Sequence, residues 1–225
     1  MSRTGSPAKA RGTTPRTRPP VASLAERAVD RRVGQQTAAA RDDVRRLLDV
    51  GLELVRTSPD GTLPKVTDIV AAAGSSNDAF YRLFKSRDLF LAAIVDDGVR
   101  RLVGYLEHQA AKARTPQGKV RAVIAGLLAQ AGDARVADAT RAVMRCTPSR
   151  RLTDALQQAD LNTSLGDLLT PALAELGSTT PARDARTIVQ ASFATMEADL
   201  WAYRTPSRAD LTYLVRLASR LSGAR

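Results

Sequence analysis

His108 is the only histidine and Cys146 the only cysteine in the 225-residue chain. The two side chains that most often serve as base, nucleophile or soft metal ligand therefore each stand alone. A structural zinc site needs about four donors, and no second His or Cys falls at ligand spacing from either residue. His108 lies on a helical face and reads as a surface or interhelix residue. Cys146, near a helix end, reads as a small buried side chain rather than an oxidation sensor. Nucleophile elbows, phosphate-cradling glycine loops and His-based triads are absent, and the carboxylates are scattered. The sequence argues against an enzyme and calls for no cofactor and no metal. The polar residues that do gather in one place are Ser76, Asn77, Asp78, Arg82, Lys85 and Arg87. Their chemistry is recognition, because Asn and Arg present paired hydrogen-bonding groups and Lys a point charge.

What positions that run is helical. Val44, Leu47, Leu48, Gly51, Leu54 and Val55 fall at i, i+3, i+4, i+7, i+10 and i+11, one stripe of an amphipathic helix. Ser58, Pro59, Asp60 and Gly61 stop it with turn residues. A short helix follows with Val66, Ile69, Val70 and Ala73 inward and Gly74 at its end. Ser75 and Asp78, spaced Ser-x-x-Asp, predict a capping box for the next short helix. Lys85 and Ser86 interrupt that helix, and a longer one runs from about 87 to 112.

Further on, Thr115 and Pro116 predict an N-cap with proline in the first turn, for a helix ending near Gly132. Asp133 caps another that ends before Thr147 and Pro148. A stretch from Ser149 to Leu176 ends at Gly177, and two last helices run from about Pro181 to Tyr203 and from Ser207 to Leu221. No strand is apparent. Aromatic residues are only 4% of the chain, and abundant Ala, Leu and Arg favour helix. The fold class predicted is all-α: an N-terminal three-helix helix-turn-helix domain followed by a helical domain, whose ligand-binding and dimerisation role rests on a family resemblance rather than on these patterns.

Charge divides the chain into three. The formal net charge is +11, which points to a polyanionic partner without naming it. Residues 1–40 hold eight bases against two acids, 91–225 hold eighteen against thirteen, and 41–90 balance at eight each. The expected organisation is a basic, largely disordered arm (1–40), a helix-turn-helix domain (41–90) and a helical domain (91–225), whose regulatory role rests on a family resemblance rather than on charge. Arg11, Arg16 and Arg18 of the arm either enter a minor groove or add only salt-sensitive, non-specific affinity. The single cysteine excludes an intrachain disulfide and fits a reducing cytoplasm. No apolar run reaches the roughly 20 residues of a membrane span, and the N-terminus lacks a secretory apolar stretch. The expectation is a soluble cytoplasmic protein with no membrane partner.

Short helices joined by a tight glycine-containing turn, followed by a long helix, describe a helix-turn-helix. Over residues 69–94, IVAAAGSSNDAFYRLFKSRDLFLAAI, the chain resembles the TetR family of transcriptional regulators. The matching positions are Ile69, Ala73, Gly74, Ser76, Tyr81, Phe84, Ser86, Arg87 (where the family has Lys) and Asp88 (where it has Glu). Leu47, Leu48, Asp49, Leu54 and Val55 fit the family's first helix, and the resemblance covers about 41–95. Beyond that, only helical layout and length agree. The sequence departs from the family at Asp78, usually a small residue, at Ala79, usually Thr, and at Leu83, commonly His or Tyr. Ser75 stands for the usual Val, and Pro64 and Lys65 replace the Thr that often caps the second helix.

The resemblance implies a DNA-binding regulator of double-stranded DNA, a homodimeric repressor released from a palindromic operator by an unidentified small-molecule effector. The alternative is a non-specific DNA-coating or architectural protein that uses the basic arm. On this reading Ser76, Asn77, Asp78, Ala79 and Arg82 face base edges, since a recognition helix directs its N-terminal residues into the major groove. Tyr81, Lys85, Arg87 and Thr67 are phosphate contacts, while Phe84, Ile69, Leu47 and Leu48 are packing residues. Tyr105, Met144, Phe193 and Met196 are the expected effector-pocket set, although helical spacing equally suits plain core. Val189, Phe193, Leu200, Leu214, Leu217 and Leu221 are the expected dimer interface.

Overall fold

The computed structural model describes residues 24–58, 62–146 and 153–223, with side chains over 37–58, 62–146 and 161–223. Of the expected arm (1–40), residues 1–23, with Arg11, Arg16 and Arg18, lie outside the described residues. Residues 24–40 are helical rather than disordered, because their Ala- and Arg-rich sequence suits a helix. The turn residues 59–61 and the breaks at Thr147, Pro148 and Ser149 also lie outside the described residues. The described residues form nine helices and no strand: α1 (Leu24–Thr57), α2 (Val66–Ala73), α3 (Asn77–Phe84), α4 (Arg87–Lys112), α5 (Pro116–Gly132), α6 (Ala134–Cys146), α7 (Thr153–Glu175), α8 (Pro181–Trp201) and α9 (Arg208–Leu221). The all-α class predicted from periodicity is the observed one.

The chain divides into two units, Met1–Asp42 and Asp43–Arg225. In the first, the described residues are the N-terminal part of α1, which starts at Leu24. The sequence there is rich in Ala and Arg, and such residues cost little in a helix, so Gly34 is tolerated within it.

In the second unit, α2, α3 and the ends of α1 and α4 enclose a small core. Leu47 and Leu48 enter from α1, Val66, Ile69, Val70 and Ala73 from α2, Phe80 and Phe84 from α3, and Phe90 and Ile94 from α4. Three of the chain's four phenylalanines meet here. The Phe80 and Phe90 rings lie 5.1 Å apart, and Phe84 meets Phe90 edge-on at 4.9 Å. Both spacings fall in the range where ring quadrupoles attract. A methyl built on Gly51 would overlap the Phe90 ring, so the absent side chain is what lets α1 and α4 cross this closely.

The remaining helices surround α5, which packs against α4, α6, α7, α8 and α9. Its sequence explains that position. Val120, Val123, Ile124, Leu127, Leu128 and Ala131 are all buried, and a helix apolar around most of its circumference belongs inside a bundle. Leu106 of α4, Leu165, Leu169 and Leu173 of α7, Ile188, Val189 and Leu200 of α8, and Leu214 and Ala218 of α9 complete this core. Thr115 caps α5 by accepting from the Gly118 N–H at 3.1 Å, with Pro116 beginning the helix. Asp133 accepts from Val136 N–H at 3.0 Å at the start of α6. Both caps are where the sequence places them. None of the helices among the described residues is long and apolar enough to cross a membrane.

Candidate nucleic-acid interface

The turn between α2 and α3 closes in two steps. Gly74 takes a left-handed conformation (φ 62°), which a side chain would strain. The Ser75 N–H then reaches back to the Val70 carbonyl at 2.8 Å, the longer bond of a Schellman closure. Ser75 is thereby committed to ending α2, and the predicted Ser75/Asp78 capping box does not form. Ser76 takes the role instead, its hydroxyl accepting from the Ala79 N–H at 3.2 Å. The cap is one residue later than the spacing suggested, because the glycine closure uses up the first serine.

α3 buries Phe80 and Phe84 against the core and turns its other residues outward. Ser76, Asn77, Asp78, Tyr81 (49%) and Arg82 are exposed, Ala79 is half-buried, and Leu83 is 37% exposed. The predicted base-facing and phosphate-facing residues of this helix therefore share one short surface. Tyr81 sets its ring edge-on to Phe80 at 5.5 Å, so its body is held by the core while the ring remains reachable.

At the far end, Lys85 caps α3 in a positive-φ conformation (φ 57°) and donates its N–H to the Tyr81 carbonyl. A non-glycine residue there stores backbone strain of order 1 kcal/mol. Ser86 follows at once as the N-cap of α4, accepting from the Leu89 N–H at 3.1 Å. Arg87 is exposed, and its guanidinium donates to the Leu63 carbonyl at 2.6 Å. It thus ties the start of α4 to the segment before α2. Thr67 is exposed on α2, with its hydroxyl 3.4 Å from the Asp68 carboxylate. The nine residues singled out for DNA thus lie on α2, at the cap of α3, on α3, in the α3–α4 turn and at the start of α4.

The other predicted sets are less gathered. Tyr105 on α4 is 43% exposed and Met144 on α6 is 37% exposed, whereas Phe193 is partly buried and Met196 buried on α8. Of the expected dimer set, Val189, Leu200 and Leu214 are buried within the chain's own core. Phe193 and Leu217 are partly buried, and Leu221 keeps 37% of its surface. His108 is exposed and Cys146 buried. Burial pushes the Cys146 thiol above its ordinary value, against a smaller opposing effect of Arg145. Among the described residues no cluster of His, Cys, Asp or Glu could hold a metal ion.

Two polar junctions were not foreseen. Arg101 of α4 reaches Asp49 of α1 at 2.8 Å and Asp97 on its own helix at 2.7 Å. Those bonds raise the Arg101 pKa, the one to Asp49 most. Where α8 meets α9, Arg204 donates through Nε and Nη2 to Oδ1 of the buried Asp199 at 3.1 and 3.0 Å. Beside them, the buried Arg141 donates to the Leu200 carbonyl at 2.9 Å and stacks 4.3 Å over the Tyr203 ring. Asp199, Arg204, Thr205, Ser207 and Asp210 help line an open cleft of about 510 Å³. An acid and a base five residues apart at a helix end was the only hint in sequence.

No family model matches the chain, and no curated protein matches it. Solved structures do share its fold. A TetR-family transcriptional regulator from Streptomyces coelicolor aligns with a TM-score of 0.60 at 16% identity, over 82% of this chain and 97% of that one. A TetR-like regulator from Rhodococcus sp. RHA1 gives 0.57 at 18% identity, over 81% and 97%. The regulator FadR from Bacillus subtilis, solved in complex with stearoyl-CoA, gives 0.58 at 15%, over 80% and 98%. The chain has the TetR-like all-helical fold.

Proposed function

We propose that the protein is a DNA-binding transcription regulator that acts as a homodimer, with α3 as its recognition helix. The observation that carries this reading is the outward surface of α3. A helix held on two buried phenylalanines turns Asn77, Asp78, Tyr81 and Arg82 to solvent, and Lys85 and Arg87 flank its end. A helix of this kind fits the major groove, with cations near its rim for phosphate. The TetR-like fold of the solved structures supports the same assignment.

On this reading α8 and α9 of two copies make the interface, with Phe193, Leu217 and Leu221 at the contact and Val189, Leu200 and Leu214 supporting it from beneath. Two-fold symmetry then demands a palindromic operator. The regulator is a repressor, and a small molecule entering the helical domain displaces α4 and so changes the spacing of the two readers. Such an effector works only by preferring the non-operator geometry. The stearoyl-CoA complex of FadR makes a long-chain acyl-CoA the first class to assay. Tyr105, Met144, Phe193 and Met196 remain the proposed lining.

The test is selection from random duplex DNA at physiological salt, using the full chain and a version lacking residues 1–40. One palindromic site recovered by both supports the reading. The basic arm, with eight bases against two acids, favours the alternative of a non-specific coating protein. No preferred sequence, with binding lost on arm removal, would establish that alternative instead.

A further inference from the structure

We infer that Asp78 and Arg82 are the base-reading pair of α3 and select a cytosine and a guanine in each half-site. The pairing rests on the DNA-binding reading above. Residues of an α-helix succeed one another by about 100°, so the two buried residues Phe80 and Phe84 define the direction of the core. Arg82 then lies opposite that direction, with Asp78 beside it on the same outward meridian. Asn77 and Tyr81 fall to one flank and Leu83 to the other. In a groove the outward meridian meets the floor, where base edges lie, and the flanks meet the walls.

Neither side chain is otherwise engaged. Ser76, not Asp78, caps the helix, and neither Asp78 nor Arg82 takes part in any of the ion pairs or side-chain hydrogen bonds among the described residues. Their spacing of four is the one at which helix ion pairs commonly form, yet here both ends stay open. A carboxylate aimed at DNA is repelled by phosphate, so a base must supply a donor to offset that. In the major groove guanine shows two acceptors, thymine an acceptor and a methyl, and adenine a donor beside an acceptor. Cytosine shows its amino donor alone. Cytosine is therefore the base a carboxylate tolerates best, and guanine the one a guanidinium holds through two acceptors. Side chains one turn apart are about 5–6 Å apart, and base pairs rise about 3.4 Å. The two contacts fall on adjacent or next-nearest pairs.

Sequence selection and competition binding with the full chain, Asp78→Asn, Asp78→Ala and Arg82→Ala test this. The wild-type site is expected to carry the cytosine, and Asp78→Asn to exchange it for adenine, which asparagine holds bidentately. Asp78→Ala is expected to lose preference at that pair alone, and Arg82→Ala at a guanine within two pairs, each by about ten-fold. All are surface changes, and circular dichroism checks that they fold. If the Asp78 variants bind DNA and return the wild-type site unchanged, the pair is overturned while the DNA-binding reading stands. A lowered melting temperature with an unchanged site would assign Asp78 to helix stability and overturn the pair likewise. No enriched site for the wild-type chain would overturn the sequence-specific regulator reading and the pair together.

Discussion

Around Phe80, Phe84 and Phe90 four helices meet on three rings, whereas around α5 five neighbouring helices meet on aliphatic side chains. The contrast follows from helix length. α2 and α3 have eight residues each, too few to be stable alone, and each offers only two to four inward positions. On α3 both inward positions are phenylalanines, whose rings concentrate buried area on them. The long helices of the bundle spread the same task over many leucines and valines, so each position there carries a smaller share. A small helical module is in this sense held by a handful of residues, and a bundle by their number.

Substitutions can break or sharpen that contrast. The largest effect is expected for Phe80→Ala, about 3–5 kcal/mol of stability, with α2 and α3 losing structure before the bundle. Urea unfolding followed by amide exchange would show it, and a single cooperative loss across all helices would contradict the division. Leu165→Ala, wholly buried on α7, is expected to cost about 2–4 kcal/mol and to lower the whole bundle's midpoint evenly. Ser76→Ala is expected to cost about 1 kcal/mol as the lost cap of α3, whereas Ser75→Ala, which contributes through its backbone, is expected to cost little. Thermal melts of the two variants separate them, and equal losses would return the cap to Ser75.

The smallest effect concerns pH. The Ser207 hydroxyl, then its backbone N–H, hold the Asp210 carboxyl below its ordinary value. A depressed carboxylate contributes stability that is present above its unfolded value, about 4, and is lost as pH falls through the folded one. The difference in melting temperature between wild-type and Asp210→Asn is expected to be visible at pH 6 and to shrink as pH falls below about 4. A difference that stays the same from pH 6 into strongly acidic solution would rule out this capping box as its source.

Local signals were legible because their physics is local. Gly74 ends α2, Thr115 and Pro116 start α5, and the stripe from Val44 to Val55 faces inward at Leu47, Leu48 and Val55. Much of the surface of α3 was legible for the same reason, since the motif and Phe84 fix which side is out, while the inward Phe80 was not singled out. The cap of α3 was misplaced by one residue because two adjacent serines compete, and only the backbone closure of α2 decides between them. Apolar stripes on α8 and α9 could not reveal which leucines serve the chain's own core, because burial looks alike whichever surface provides it. The Arg101–Asp49 bridge spans 52 positions, and the Arg141–Leu200 bond 59. Pairings at such separations carry no periodic signature.

The bond from Arg87 to the Leu63 carbonyl has a consequence for how such a chain tolerates change in length. A connecting segment ordinarily absorbs added residues at little thermodynamic cost. Here Leu63 is clamped to the start of α4, so the residues from Leu63 to α2 are held in register with α4. Residues inserted before Leu63 lie outside this clamp and leave it intact. Those inserted between Leu63 and Val66 would pull the clamp out of reach and misalign α2 against α4. Related chains should therefore vary in length upstream of Leu63 and hold the distance from it to α2 constant.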